Sequence, residues 1–99
     1  MELYQYYQDF GRMGAIEGLF FATKEEIEKY SKARLWWCDL LGKHSEGYYE
    51  FSDETLTVVD IPFSAACMLY EALGKVVSGP FDFGYFDEQI EEQRENEDY

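Results

Sequence analysis

Positive charge is scarce in this chain: 8 lysines and arginines stand against 21 aspartates and glutamates, a net charge of −13. That balance disfavours direct binding to nucleic acid or an anionic membrane, whose phosphates need Lys and Arg to neutralise them. It favours basic protein partners. Cysteine is nearly absent too. Cys38 and Cys67 form no CxxC pair and no ligand cluster, which argues against a disulfide framework or a zinc site. Each reads as a small buried hydrophobe in a reducing compartment. One histidine, His44, leaves no second imidazole for a metal. No window approaches the ~20 apolar residues of a membrane span. Met1–Phe10 lacks the basic start and apolar run of a signal peptide, so a cytoplasmic location is expected, that of the host cell if the chain is viral. Gly11, Gly14 and Gly18 resemble a phosphate loop only loosely. Glu17 would repel phosphate, and no Lys-Ser/Thr follows.

What the sequence does have is aromatic side chains: 9 Tyr, 8 Phe and 2 Trp in 99 residues. That content builds a folded core, and the length suits one domain. Leu3–Phe10 and Ala15–Ala22 read as strands joined by a loop around Gly11–Gly14, with Gly18 marking a bulge or close approach. Thr23-Lys24-Glu25-Glu26 is a capping box, which predicts a helix over Lys24–Lys32. Arg34–Leu41, Tyr48–Ser52 and Thr55–Val59 are further strand candidates. A second helix follows, capped by Asp60 or Ser64, with Pro62 near its start and Gly79-Pro80 ending it. Its Ala65, Ala66, Leu69, Leu73, Val76 and Val77 should face the sheet. Trp36 and Trp37 point to opposite faces of a strand, and burial of both is the expectation.

Composition changes after Pro80. Phe81–Phe86 is aromatic, and from Phe81 onward there are 8 acids and 1 base, a net −7 in a fifth of the chain. The expected organisation is an α+β domain over 1–80 and an aromatic then acidic segment over 81–99. The expected fold is an antiparallel sheet of four to five strands with two helices packed on one face. If 87–95 is helical, Asp87, Glu91 and Glu95 share a face with Glu88 and Glu92 beside them. Such a row of carboxylates can imitate a phosphate backbone, with Tyr85 and Phe86 as apolar anchors. The candidate partner-binding residues are therefore Tyr85, Phe86, Asp87, Glu88, Glu91, Glu92 and Glu95. His44, Ser45, Glu46 and Cys38 lack the convergent acid, base and positioning groups of an active site, so no enzyme is expected, and no cofactor or metal.

The stretch from Phe10 to Phe20 (FGRMGAIEGLF), then Ala22–Ile27 (ATKEEI), then Leu41–Glu46 (LGKHSE) resembles a family of small phage and prophage proteins. Those share an EG-[LV]-F-x-AT-x-EE-[IV] segment followed by a GKHSE loop. The resemblance covers roughly residues 10–60 and carries over no site residues. It implies a viral setting and, by analogy, an anti-CRISPR or other anti-defence inhibitor. The partner expected on that reading is a host protein with a basic nucleic-acid-binding surface, such as a CRISPR effector. The alternative is a structural or regulatory homo-oligomer, for instance a homodimer, that associates through strand aromatics and Phe81–Phe86.

Overall fold

The computed structural model describes residues 1–38, 40–42 and 45–97; the side chains of 38 and 95–97 lie outside that description. The elements in order are β1 (Glu2–Asp9), β2 (Ala15–Ala22), α1 (Lys24–Ser31), β3 (Leu35–Cys38), β4 (Glu46–Tyr49), β5 (Leu56–Val58), α2 (Phe63–Leu73), β6 (Val76–Ser78) and α3 (Phe83–Glu97). The fold is α+β, as expected, but among the described residues it has three helices, and the strands divide between two sheets. One sheet is four-stranded in the order β5-β1-β2-β6, and β3 pairs with β4 in a separate hairpin. All pairings are antiparallel.

Local chemistry accounts for the first half of the chain. β1 and β2 pair along their whole length, from Glu2 opposite Ala22 to Asp9 opposite Ala15. A 3-10 turn at Gly11–Met13 joins them, where Asp9 Oδ1 accepts from the Gly11 amide at 2.8 Å. The capping box at Thr23 forms in both directions. Thr23 Oγ1 accepts from the Glu26 amide, and Glu26 Oε1 accepts from the Thr23 amide, each at 3.1 Å.

Alternation divides β1 and β2 between two environments. Tyr4, Tyr6, Ile16, Phe20 and Ala22 face an aromatic core that also contains Tyr30 of α1, Leu35 and Trp37 of β3, Tyr49 of β4, and Phe51. Its rings meet edge-on or tilted, for example Tyr6 on Phe81 at 5.1 Å and Phe20 on Phe81 at 5.0 Å. Burial pushes the Tyr49 phenol up to about 12 and raises Tyr6 and Tyr30 as well, so this core carries no charge near neutrality. Leu3 and Phe21, partners across the β1–β2 pair, are buried on the opposite face. There Phe21 packs edge-on against Tyr70 of α2 at 5.5 Å.

The helices therefore do not lie on one face. α1 and α3 pack on the core side of the four-stranded sheet, and α2 lies on the other side. α2 is also shorter than its sequence suggests. It ends at Gly74, which has φ of 81°, and Val76 and Val77 continue as β6 beside β2. β-branched residues suit that edge strand better than a helix terminus. Neither Asp60 nor Ser64 caps α2; Pro62 holds the cap position with no side-chain bond. Cys67 is exposed and free, contrary to the buried hydrophobe expected. Trp37 is buried, whereas Trp36 is half-buried and packs edge-on against exposed Tyr48 at 5.0 Å.

The segment after Pro80 belongs to the same core. Phe81, Phe83, Phe86 and Ile90 are buried among the rings of β1, β2, α1 and β4. Phe81, Phe83, Phe86 and Ile90 thus share one hydrophobic core with residues before Pro80.

Candidate partner-binding face

α3 begins on its own N-cap. Asp82 Oδ1 accepts from the Tyr85 amide at 3.1 Å, and the Asp82 carbonyl accepts from the Phe86 amide at 3.0 Å. Phe83, Phe86 and Ile90 recur at i, i+3 and i+7 and form its buried stripe. Phe86 is 1% exposed and packs on Tyr30, Tyr49 and Phe51 at 5.0 to 5.9 Å. It anchors the helix to the body and is not available to a partner, which corrects its expected role.

Two glutamines fasten the next turns of α3. Gln89 Oε1 accepts from the Trp36 amide at 2.7 Å, and its Nε2 donates to the Trp36 carbonyl at 3.3 Å. One turn on, Gln93 Oε1 accepts from the Arg34 amide at 3.3 Å, and its Nε2 donates to the Arg34 carbonyl at 2.6 Å. A carboxamide carries one acceptor and two donors, so each glutamine copies the exchange that a neighbouring strand would make with β3. Together they satisfy the outward backbone groups of Trp36 in β3 and of Arg34 just before it. Sequence reasoning did not single out either residue. The available signal was the interruption of an acidic run by Gln89, Ile90 and Gln93, all on the inward side.

Asp87 is engaged within the fold. Its Oδ1 accepts from Lys29 Nζ at 2.7 Å and from the Tyr30 hydroxyl at 3.0 Å. Partial burial pulls its carboxyl upward, but the hydrogen bonds from Lys29 and Tyr30 outweigh that and hold it below the ordinary carboxylate value. Folding then favours the ionised form. That stabilisation is complete above the ordinary pKa near ~4 and disappears as pH falls through the lowered folded value. Asp87→Asn is thus expected to lower stability at neutral pH. The gap from wild type should close on acidification, as read from denaturant midpoints across pH. An unchanged gap at low pH would remove the ion pair as its source. The side chain of Asp87 is half exposed, so the effect is modest.

Lys29, Lys32 and Arg94 line a hollow on the α1 flank of α3, together with Ala33, Ile90 and Gln93. Among the described residues, no ion pair engages Glu88, Glu91 or Glu92. Tyr85, Glu88 and Glu92 follow one another at i, i+3 and i+7, and Glu91, one turn from Asp87 and three residues before Arg94, lies between that row and the α1 flank; all four are exposed, Tyr85 by 48%. Glu95 lies in the same helix, and its side chain is outside the described residues. Of the seven candidate residues, the fold thus brings Tyr85, Glu88, Glu91 and Glu92 together on one outward surface, turns Phe86 inward, and ties Asp87 to α1.

The GKHSE loop offers less. Ser45 Oγ donates to the Gly42 carbonyl at 2.8 Å and accepts from the Leu41 amide at 3.2 Å, closing its own turn. Glu46 opens β4 opposite Cys38. Lys43 and His44 lie outside the described residues. Among the described residues, no group of three His, Cys, Asp or Glu side chains could hold a metal ion. No helix among them is long and apolar enough to cross a membrane. Comparison with protein-family models, curated proteins and solved structures finds no match.

Proposed function

We propose that this chain is an acidic, phage-type inhibitor that binds and blocks a nucleic-acid-handling protein of host defence, a CRISPR effector being the type case. It acts in the host cytoplasm, as a binding protein and not an enzyme. The contact is the outer flank of α3, with Glu88, Glu91 and Glu92 standing in for phosphates and Tyr85 as the apolar anchor. The observation that carries this reading is the exposure of Glu88, Glu91 and Glu92 on a helix whose inner face is locked.

Magnitudes support it. Glu88 to Glu92 spans a rise of about 6 Å. Three charges over that rise approach the linear density of duplex DNA, roughly one per 1.7 Å. Like charges one turn apart destabilise an isolated helix by a few tenths of a kcal/mol per pair. Burying Phe83, Phe86 and Ile90 contributes about 5–9 kcal/mol, at about 1.5–3 kcal/mol for each large side chain. Packing wins, so the carboxylates are held in place before any partner arrives, and little ordering entropy opposes binding.

The test is capture of the partner from host lysate at low and high salt, with wild type and with the triple variant E88Q/E91Q/E92Q. These side chains are exposed, so the variant should fold normally. The expected result is salt-sensitive capture by wild type, reduced at least about tenfold in the variant. Equal capture by both proteins would rule out the α3 flank as the contact.

A further inference from the structure

α2 presents a second unsatisfied surface on the opposite side of the sheet, and its character is the reverse of α3. Its sequence, FSAACMLYEAL, is predominantly apolar, yet none of its residues is buried. Phe63 is 84% exposed, Leu73 54% and Tyr70 42%, and neighbouring Met1 is 68% exposed. Phe63, Ala66, Tyr70 and Leu73 are spaced three, four and three apart, the a/d seam of a paired helix. Beside that seam lies a groove of about 240 Å³, walled by the apolar side chains of Met1, Phe21, Phe63, Ala66 and Tyr70, by Cys67, and by Glu71 as its single charged residue.

We propose that α2 is a self-association surface, on which two copies of this chain pair helix to helix in antiparallel fashion. Three observations select a second copy as the occupant. First, the seam is self-complementary about a two-fold axis. Pairing Phe63 of one copy with Leu73 of the other places Ala66 opposite Tyr70, a small residue against a large one, twice over. Second, the area suffices. At roughly 200 Å² per large side chain, the four exposed residues leave about 500 Å² in solvent. Two copies would then bury about 1,000 Å² or more, the threshold of a specific interface. Third, α2 carries one charge, Glu71, in a chain of net −13. A second acidic body meets less repulsion here than elsewhere. The inference is independent of the proposed role of α3.

The mass of the full chain, followed by light scattering from about 1 µM to about 1 mM, tests it. A monomer–dimer equilibrium is expected. It should tighten as salt rises, because screening shrinks the repulsion between like-charged copies and leaves the apolar contact intact. Capture of a basic partner by α3 responds to salt in the opposite direction. Phe63→Asp and Leu73→Glu, at exposed positions that leave the circular dichroism spectrum unchanged, should each weaken pairing at least about tenfold. Exposed Cys67 flanks the seam, so a short bis-maleimide should cross-link wild type into dimers, and Cys67→Ser should abolish that product. A chain that stays monomeric throughout, or dimers that persist in both charged variants, would overturn the proposal.

Discussion

A chain ending at Pro80 is expected to be unfolded. The missing residues include Phe81, Phe83, Phe86 and Ile90, all buried in the one aromatic core. Truncating a single buried Phe to Ala costs about 3–5 kcal/mol, against a total stability of about 5–15 kcal/mol for a typical domain. Removing three buried Phe and an Ile exceeds that margin. The loss also strips β3 of the glutamines that satisfy Trp36 and Arg34. Near-ultraviolet circular dichroism and thermal melting of the shortened chain should show no fixed aromatic environment and no cooperative transition. A cooperative melt would mean that the sheet, α1 and the β3–β4 hairpin suffice without α3. Truncation is consequently a poor probe of the acidic flank, since it removes the fold along with the charge. Substitution of exposed glutamates separates the two.

The second large effect is expected at Gly18. This residue lies on the core face of β2, between Ile16 and Phe20. A Cβ there would stand 2.4 Å from the Ser78 carbonyl oxygen and 2.5 Å from the Phe81 ring. Neither neighbour is free to move. Ser78 is held in β6, and Phe81 is wedged between Tyr6 and Phe20. Gly79 forms the other side of the seat, with φ of 101° and its own would-be Cβ 2.5 Å from the same ring. Gly18→Ala should therefore lose about 3 kcal/mol, the upper range for overpacking. Equilibrium denaturation measures this directly. A loss below about 0.5 kcal/mol, the size of an ordinary surface substitution, would show that β6 and Phe81 can give way.

What could be read in the sequence was what neighbours in sequence decide. The capping box lies within four residues, and both of its bonds form. The β1–β2 hairpin follows from a glycine-flanked turn between two aromatic runs. The close approach marked by Gly18 is present as well. The errors came from non-local competition. Val76 and Val77 continue the helical spacing of Leu69 and Leu73, but a place beside β2 was open to them beyond Gly74. Phe81–Phe86 reads equally as a strand, a helix or an interface, because a short aromatic run has no decisive period. Its burial depends on a hollow assembled from β1, β2, α1 and β4. No local pattern tells which side of a sheet a helix covers, and α2 lies opposite α1 and α3. Gln89 and Gln93 look like solubilising residues until β3 is beside them.

The glutamine clasp also sets an order of events during synthesis. β3 is made some fifty residues before the side chains that complete its hydrogen bonding. Until the ribosome has passed Gln93, the nascent chain carries an open strand edge and an aromatic hollow without its plug. Such species stick to one another. Like-charge repulsion between the carboxylates already made on each growing polypeptide opposes that contact.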